Sequence, residues 1–271
     1  MYVSYTEIIF AFSILLLPFL YETSQAFRYY LKFVTYVVVV SFIALILTPV
    51  FIFRIKNVRN LVIASYLCRH VSTLIGLKWI LRGRKHLEKD ASYIIVSNHQ
   101  SALDVLGMFD LWPVMDKCTV VAKKEILYAW PFGLAAWLCG LIFIDRMNSE
   151  KARTTMKEAA EWIKSKNTKL WVFPEGTRHN TGELHPFKKG AFHLAISAQI
   201  PILPVVYSQY YFLDDANRRF DHGKIMITAL PPIPTAGLTA KDVDSLIEKT
   251  RSMMAPVFYE SSKEVMRSLG V

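Results

Sequence analysis

His99 and Asp104 stand five positions apart in Asn98-His99-Gln100-Ser101-Ala102-Leu103-Asp104, directly after the apolar, β-branched run 93–96. That run has the length and composition of a buried strand, and the polar residues that interrupt it precede a new apolar-periodic segment. His99 therefore falls at a strand-to-helix turn on the carboxyl end of a sheet, where open α/β folds collect their ligands. Asp104, one helical turn further on, can fold back toward the imidazole, and a histidine held by a carboxylate is equipped to act as a general base. The same spacing admits a second reading, in which Ser101 and Asp104 form an N-terminal capping box and His99 only lines a turn.

Other stretches carry chemistry of their own. Phe173-Pro174-Glu175-Gly176-Thr177-Arg178 follows the strand-like run 169–172. Its glycine permits close approach of the backbone to a ligand and Arg178 supplies a planar fork suited to phosphate, unless Glu175 and Arg178 merely pair with one another. Residues 140–146 repeat the plan, an apolar run ending in the couple Asp145-Arg146, for which a strand-end salt bridge is the alternative. Lys188 and Lys189 open a predicted helix, where cations oppose the helix dipole; a bound anion would explain them, and so would a solvated face. Pro201 and Pro204 place the run 200–205 at a sheet edge or beside a ligand groove. Asn98, Ser101 and Lys123 join Lys188, Pro201 and Pro204 as candidate substrate contacts. No G-x-S-x-G elbow, Walker A loop, G-x-G-x-x-G or H-E-x-x-H occurs, which argues against a serine hydrolase, a P-loop enzyme, a dinucleotide enzyme and a zincin.

The elements that must position these residues follow from pattern. Residues 8–20 are a largely apolar run of roughly 20 Å as a helix, shorter than the ~30 Å hydrocarbon core, so they dip into one leaflet or act as a signal peptide. Residues 33–53 carry no charge and are long enough to span; together the two runs suggest a hairpin anchor. Arg28 and Lys32 before the second run, against Arg54, Lys56 and Arg59 after it, tip the remainder toward the cytosol. Residues 60–89 read as an amphipathic helix lying at a surface. Strands are predicted near 92–97, 118–122, 141–144, 169–173, 201–207 and 224–229, and helices near 102–111, 125–138, 149–166, 187–198 and 239–266. Residues 126–144 could form another membrane helix, but Pro131, Gly133 and Gly140 favour a core helix followed by a strand. The alternation predicts an α/β fold with a mostly parallel sheet flanked by helices, residues 1–60 anchoring and 61–271 forming the catalytic domain.

Composition bounds the partners. Hydrophobic residues make up 53% of the 271, concentrated near the amino terminus, and the net charge is +10. Basic residues are interleaved with acids rather than gathered in a tract, so a phosphorylated, membrane-borne partner fits better than nucleic acid. Cys68, Cys118 and Cys139 are widely spaced and no Asn-x-Ser/Thr sequon occurs, which suits a reducing compartment and indicates neither a zinc site nor a disulfide framework. No cofactor is implied.

Asn-His-x-Ser-x-x-Asp, G-x-x-F-I-D-R, F-P-E-G-T-R and a Pro-x-x-Pro strand, in that order between residues 98 and 205, resemble the four blocks of the glycerolipid acyltransferases. Within these the chain is most similar to the 1-acylglycerol-3-phosphate acyltransferases of the endoplasmic reticulum, the animal alpha and beta forms above all. Ile200, where the fourth block usually begins with Val, is a conservative departure. The resemblance implies His99 as base, Asp104 as its orienting carboxylate, and Arg146, Glu175, Gly176, Thr177 and Arg178 as the acceptor's phosphate site. It implies acyl-CoA as donor, lysophosphatidic acid as acceptor, and an enzyme in the endoplasmic reticulum membrane facing the cytosol. Glycerol 3-phosphate or another lysophospholipid as acceptor, or a non-catalytic phosphatidic acid binder, are the rival readings.

Overall fold

A computed structural model describes residues 5–145 and 147–268, so Arg146 lies outside the described residues. Seven strands form one sheet: β1 (Leu77–Arg82), β2 (Tyr93–Ser97), β3 (Cys118–Lys123), β4 (Ile142–Ile144), β5 (Lys169–Val172), β6 (Ile202–Tyr207) and, after a two-stranded hairpin of β7 (Leu213–Asp214) and β8 (Arg219–Phe220), β9 (Gly223–Ala229). Their spatial order is β1-β9-β6-β2-β5-β3-β4. The five strands from β6 to β4 are parallel, while β9 runs antiparallel to β6 with β1 parallel beside it. The carboxyl ends of β2, β3, β4 and β5 therefore open on one edge, which is where His99, Lys123, Asp145 and Phe173 follow.

Alternate residues of the strands feed two cores. Ile95, Trp171, Leu203 and Tyr207 face a cluster shared with α2 (Gln25–Ile52), α3 (Asn60–Leu74), α5 (Asp104–Met115) and α6 (Phe132–Leu138). Ile94, Val96, Leu170 and Val206 face a second cluster with α7 (Ser149–Lys166), α8 (Gly190–Ala198) and α9 (Val243–Arg267). Strands buried on both faces read as unbroken apolar runs, and helices cover both sides, as a mostly parallel sheet demands. The predicted α/β architecture with flanking helices is the one observed.

Three local expectations are corrected. Residues 60–89 are not one surface helix: α3 buries Leu61, Ala64, Cys68 and Val71, and Gly76 at φ +81° turns the chain into β1, after which comes the single turn α4 (Arg84–Leu87). Pro204 does not mark an edge, since β6 is central. Its carbonyl accepts from the Leu230 N–H on the β9 side, and its missing donor falls between the Ile202–Ile233 bridge and the β9 ladder, which spans Val205–Tyr207 on β6. The helix predicted over 125–138 is split into a 3₁₀ turn at Lys124–Tyr128 and α6, because Pro131 cannot continue the first segment. The core helix and strand preferred for 126–144 are thus present as α6 and β4.

At the amino terminus, α1 (Tyr5–Thr23) meets α2 at Ser24, whose hydroxyl caps α2 by accepting from the Phe27 N–H. With a mean hydropathy of 2.5, α2 is apolar enough to cross a membrane, and its 28 residues extend about 42 Å. Both of its ends nevertheless lie on the domain. Near the start, Tyr29 donates to Asp215 at 2.7 Å and Lys32 to the Asp221 carbonyl at 3.0 Å; near the end, Val40, Ala44, Leu47 and Phe51 join the first core. The opposite face, including Tyr30, Val34, Val38, Phe42 and Ile46, is exposed and apolar.

Candidate active site

The turn after β2 is built around a carboxylate. Asp104, completely buried at the first position of α5, receives the Gln100 N–H at 2.9 Å and the Ser101 N–H at 3.2 Å, and its Oδ2 lies 2.5 Å from His99 Nδ1. One side chain thus bonds both the turn's backbone and the imidazole, whereas the full capping box is not formed: Leu103 caps α5 without a side-chain bond. Asn98 does not reach outward: its amide brackets the Tyr207 backbone with two bonds of 2.9 Å, tying the turn to β6. Ser101 likewise serves the turn, its hydroxyl accepting from the Leu103 N–H. With Nδ1 committed to Asp104, His99 Nε2 is the ring nitrogen left to accept a proton.

The loop after β5 encloses His99 from the other side. The Phe173 ring stacks on the imidazole at 4.0 Å and 18°. Glu175 is only 5% exposed, and its Oε1 accepts the His99 backbone N–H at 3.2 Å. Burial, with a smaller push from the neighbouring Asp104 charge, raises the Glu175 carboxyl to about 8 against the pull of the His99 N–H and of Arg251. Gly176 adopts φ +76°, a left-handed conformation that favours glycine.

His99 lines a cavity of about 1180 Å³ that draws on both layers of helices. Its lining is largely apolar, with Val40, Leu47, Cys68, Met108, Trp112 and Ala136 among others. It also carries Lys123, Arg153, Lys157, Thr177, Arg178 and Lys188, and no carboxylate lines it among the described residues. Such a lining suits a ligand that is both apolar and anionic. Cys68 and Cys139 also face it, but burial pushes both thiols up to about 12, so neither is a ready thiolate nucleophile. Among the described residues no group of three or more His, Cys, Asp or Glu is placed to hold a metal ion.

Of the candidate residues, the fold brings His99, Asp104, Gly176, Thr177, Arg178, Lys123 and Lys188 to this site, with Glu175 just behind it. Pro204 lies in β6 and Pro201 just before it; neither lines the cavity, nor do Asn98 and Ser101. Sequence reasoning missed Phe173 as the imidazole's stacking partner, and Arg153 and Lys157 as cavity cations. The i, i+4 spacing of the latter pair on α7 was the available signal.

The Acyltransferase family profile matches residues 78–208, the stretch that holds His99, Asp104 and the β5–α8 loop. The chain belongs to the 1-acyl-sn-glycerol-3-phosphate acyltransferase family. It is 42% identical over 92% of its length to the human alpha form, of which it covers 88%, and 37% identical over 93% to the human beta form, of which it covers 91%. The enzyme of Haemophilus influenzae is 35% identical over 79% of this chain and 88% of its own. The fold is shared with the crystal structure of the LPA acyltransferase PlsC from Thermotoga maritima, at a TM-score of 0.61 and 21% identity over 89% of this chain and 95% of that one.

Proposed function

We propose that this protein transfers an acyl chain from acyl-CoA to the sn-2 hydroxyl of 1-acylglycerol 3-phosphate, giving phosphatidic acid and CoA. The observation that carries the proposal is the placement of His99, held at 2.5 Å by Asp104, on the wall of a single cavity whose lining is largely apolar and otherwise cationic. His99 Nε2 takes the acceptor's hydroxyl proton as its oxygen attacks the thioester carbonyl, and Asp104 stabilises the imidazolium that forms. Collapse of the tetrahedral adduct breaks the C–S bond, and the departing thiolate takes the proton back. Arg178, exposed and without an ion pair among the described residues, holds the acceptor's phosphate, with Gly176, Thr177 and Lys188 beside it and Arg146 assigned to the same site from sequence. Both substrates sit in one cavity, so direct transfer needs no acyl-enzyme.

Residues 1–60 attach the enzyme to the bilayer and 61–271 carry the chemistry, with α2 serving both. Because α2 is fixed to the domain at both ends, its exposed apolar face lies along the near leaflet instead of crossing it. The endoplasmic reticulum membrane, with the domain on its cytosolic face, suits three free, buried cysteines.

The test is CoA release by the purified protein with oleoyl-CoA and lysophosphatidic acid, beside glycerol 3-phosphate as acceptor and beside His99→Ala. Turnover with lysophosphatidic acid, reduced ~10²-fold or more in a variant that still melts cooperatively, is expected. Turnover with glycerol 3-phosphate alone replaces the acceptor, and an active His99→Ala refutes the mechanism.

A further inference from the structure

Glu175 stands apart from its neighbours in the Glu175-Gly176-Thr177-Arg178 turn. The other three line the cavity, whereas the Glu175 carboxyl is turned away from it, buried, and bonded to the backbone N–H of His99. Four residues later the His179 N–H donates to the His99 carbonyl at 2.8 Å. Both backbone groups of the base are therefore held by one segment, whose preceding residue, Phe173, also stacks on its ring. That segment is closed on itself where the Lys188 N–H donates to the Pro174 carbonyl at 2.8 Å, and it is pinned to α9 where Arg251 donates to the Leu184 carbonyl at 3.0 Å.

A carboxyl in this position is poorly suited to meet a phosphate. It lies outside the cavity, it adds negative charge if ionised, and burial already favours its protonated form. An acceptor oxygen fixed on the backbone of the base is the role that the geometry leaves it.

We propose that Glu175 is a positioning residue for His99, seating the backbone of the base, so that the turn carrying Arg178 places the acceptor's phosphate and the base as one unit. The inference rests on the acyl transfer proposed above and moves Glu175 out of the phosphate site. What the residue supplies is an acceptor oxygen at the right reach; its charge is not required.

The experiment compares Glu175→Gln, which keeps that oxygen, with Glu175→Met, which keeps the volume and loses the oxygen, and with Arg178→Ala. For Glu175→Met, kcat should fall ~10- to 100-fold, the cost of slight misplacement of a catalytic group, with the acceptor KM within about 3-fold of the parent. Gln should recover most of that kcat, while Arg178→Ala should chiefly raise the acceptor KM. A second readout needs no turnover: the far-downfield proton resonance of the His99–Asp104 bond, assigned by its loss in Asp104→Ala, should shift or broaden in Glu175→Met and persist in Glu175→Gln. A Met variant that raises the acceptor KM at unchanged kcat, a Gln variant as impaired as Met, or a resonance untouched by Met would each overturn the proposal. Because the resonance is read without substrate, a parent protein inactive on lysophosphatidic acid would refute the function and still leave Glu175 tested.

Discussion

Asp104→Asn is the sharpest probe of the site. The carboxylate receives three donors: the Gln100 N–H and the imidazole on Oδ2, and the Ser101 N–H shared between Oδ1 at 3.2 Å and Oδ2 at 3.3 Å. An amide offers an oxygen on one side only. With that oxygen toward His99 and Gln100, the Ser101 N–H keeps only its 3.3 Å bond, and the new NH2, set against that N–H, is a buried donor whose lack of a partner costs ~1–3 kcal/mol of stability. In the flipped orientation the NH2 faces Nδ1 and drives the imidazole proton to Nε2, leaving nothing to accept the hydroxyl proton. Either way the developing imidazolium loses its ionic partner, a charge-assisted bond worth ~1.5–3 kcal/mol, or roughly 10- to 150-fold in rate. The tautomer change adds to this, and the equivalent substitution in a Ser-His-Asp triad costs ~10⁴-fold. Stopped-assay measurement of thiol release should therefore show kcat lowered by ~10²- to 10⁴-fold, with the acceptor KM within about 3-fold because Asp104 does not line the cavity. A kcat within about 5-fold of the parent in a folded variant would show that Asp104 only holds the backbone of the turn at Gln100 and Ser101, and the dyad reasoning would fail.

Two further outcomes follow from the same structure. The Asp110 carboxyl on α5 is raised to about 6, by burial against the smaller opposing pull of Arg69 and His70, so the folded state holds its proton more tightly than the unfolded chain does. That contribution to stability is full below about pH 4 and is lost as pH rises toward 6; Asp110→Asn should therefore stabilise the protein by on the order of 1–3 kcal/mol at pH 7, the advantage vanishing near pH 4. Chemical denaturation at both pH values checks it, and a pH-independent difference would count against it. On the exposed face of α2, Val38→Glu with Phe42→Glu should reduce vesicle binding ~10-fold or more, since acidic residues are costly within a bilayer, while turnover of a short-chain, water-soluble acceptor persists. Unchanged vesicle sedimentation would place the membrane contact elsewhere.

How much was legible in the chain varied with the range of the interaction that decides each feature. His99 and Asp104 are close in sequence, and a turn of helix brings them together, so their pairing could be read directly. The other six strands of the seven-stranded sheet were equally plain, since burial on both faces leaves apolar runs such as residues 93–96. β1 was hidden because its Leu-Lys-Trp-Ile-Leu-Arg sequence fits a helix face as well as a sheet edge, and pairing with β9, 146 positions away, makes the choice. Pro204 argued for an edge by its lack of a donor, yet only the β9 register reveals a gap in which no donor is needed.

What the sequence by itself determined is therefore the local chemistry: a base with its carboxylate, an arginine-bearing turn, an apolar amino terminus and a fold of alternating strands and helices. Only the tertiary structure decided which of those groups face the substrate. Glu175 and Arg178 are three residues apart in one motif, yet packing of the β5–α8 loop on the His99 turn buries one carboxyl behind the base and leaves the guanidinium in the cavity. α2 was equally undecided, because an all-round apolar helix satisfies both a bilayer and a protein core. Its polar contacts to the β7–β8 hairpin, nearly 190 residues away in the chain, are what hold it along the domain.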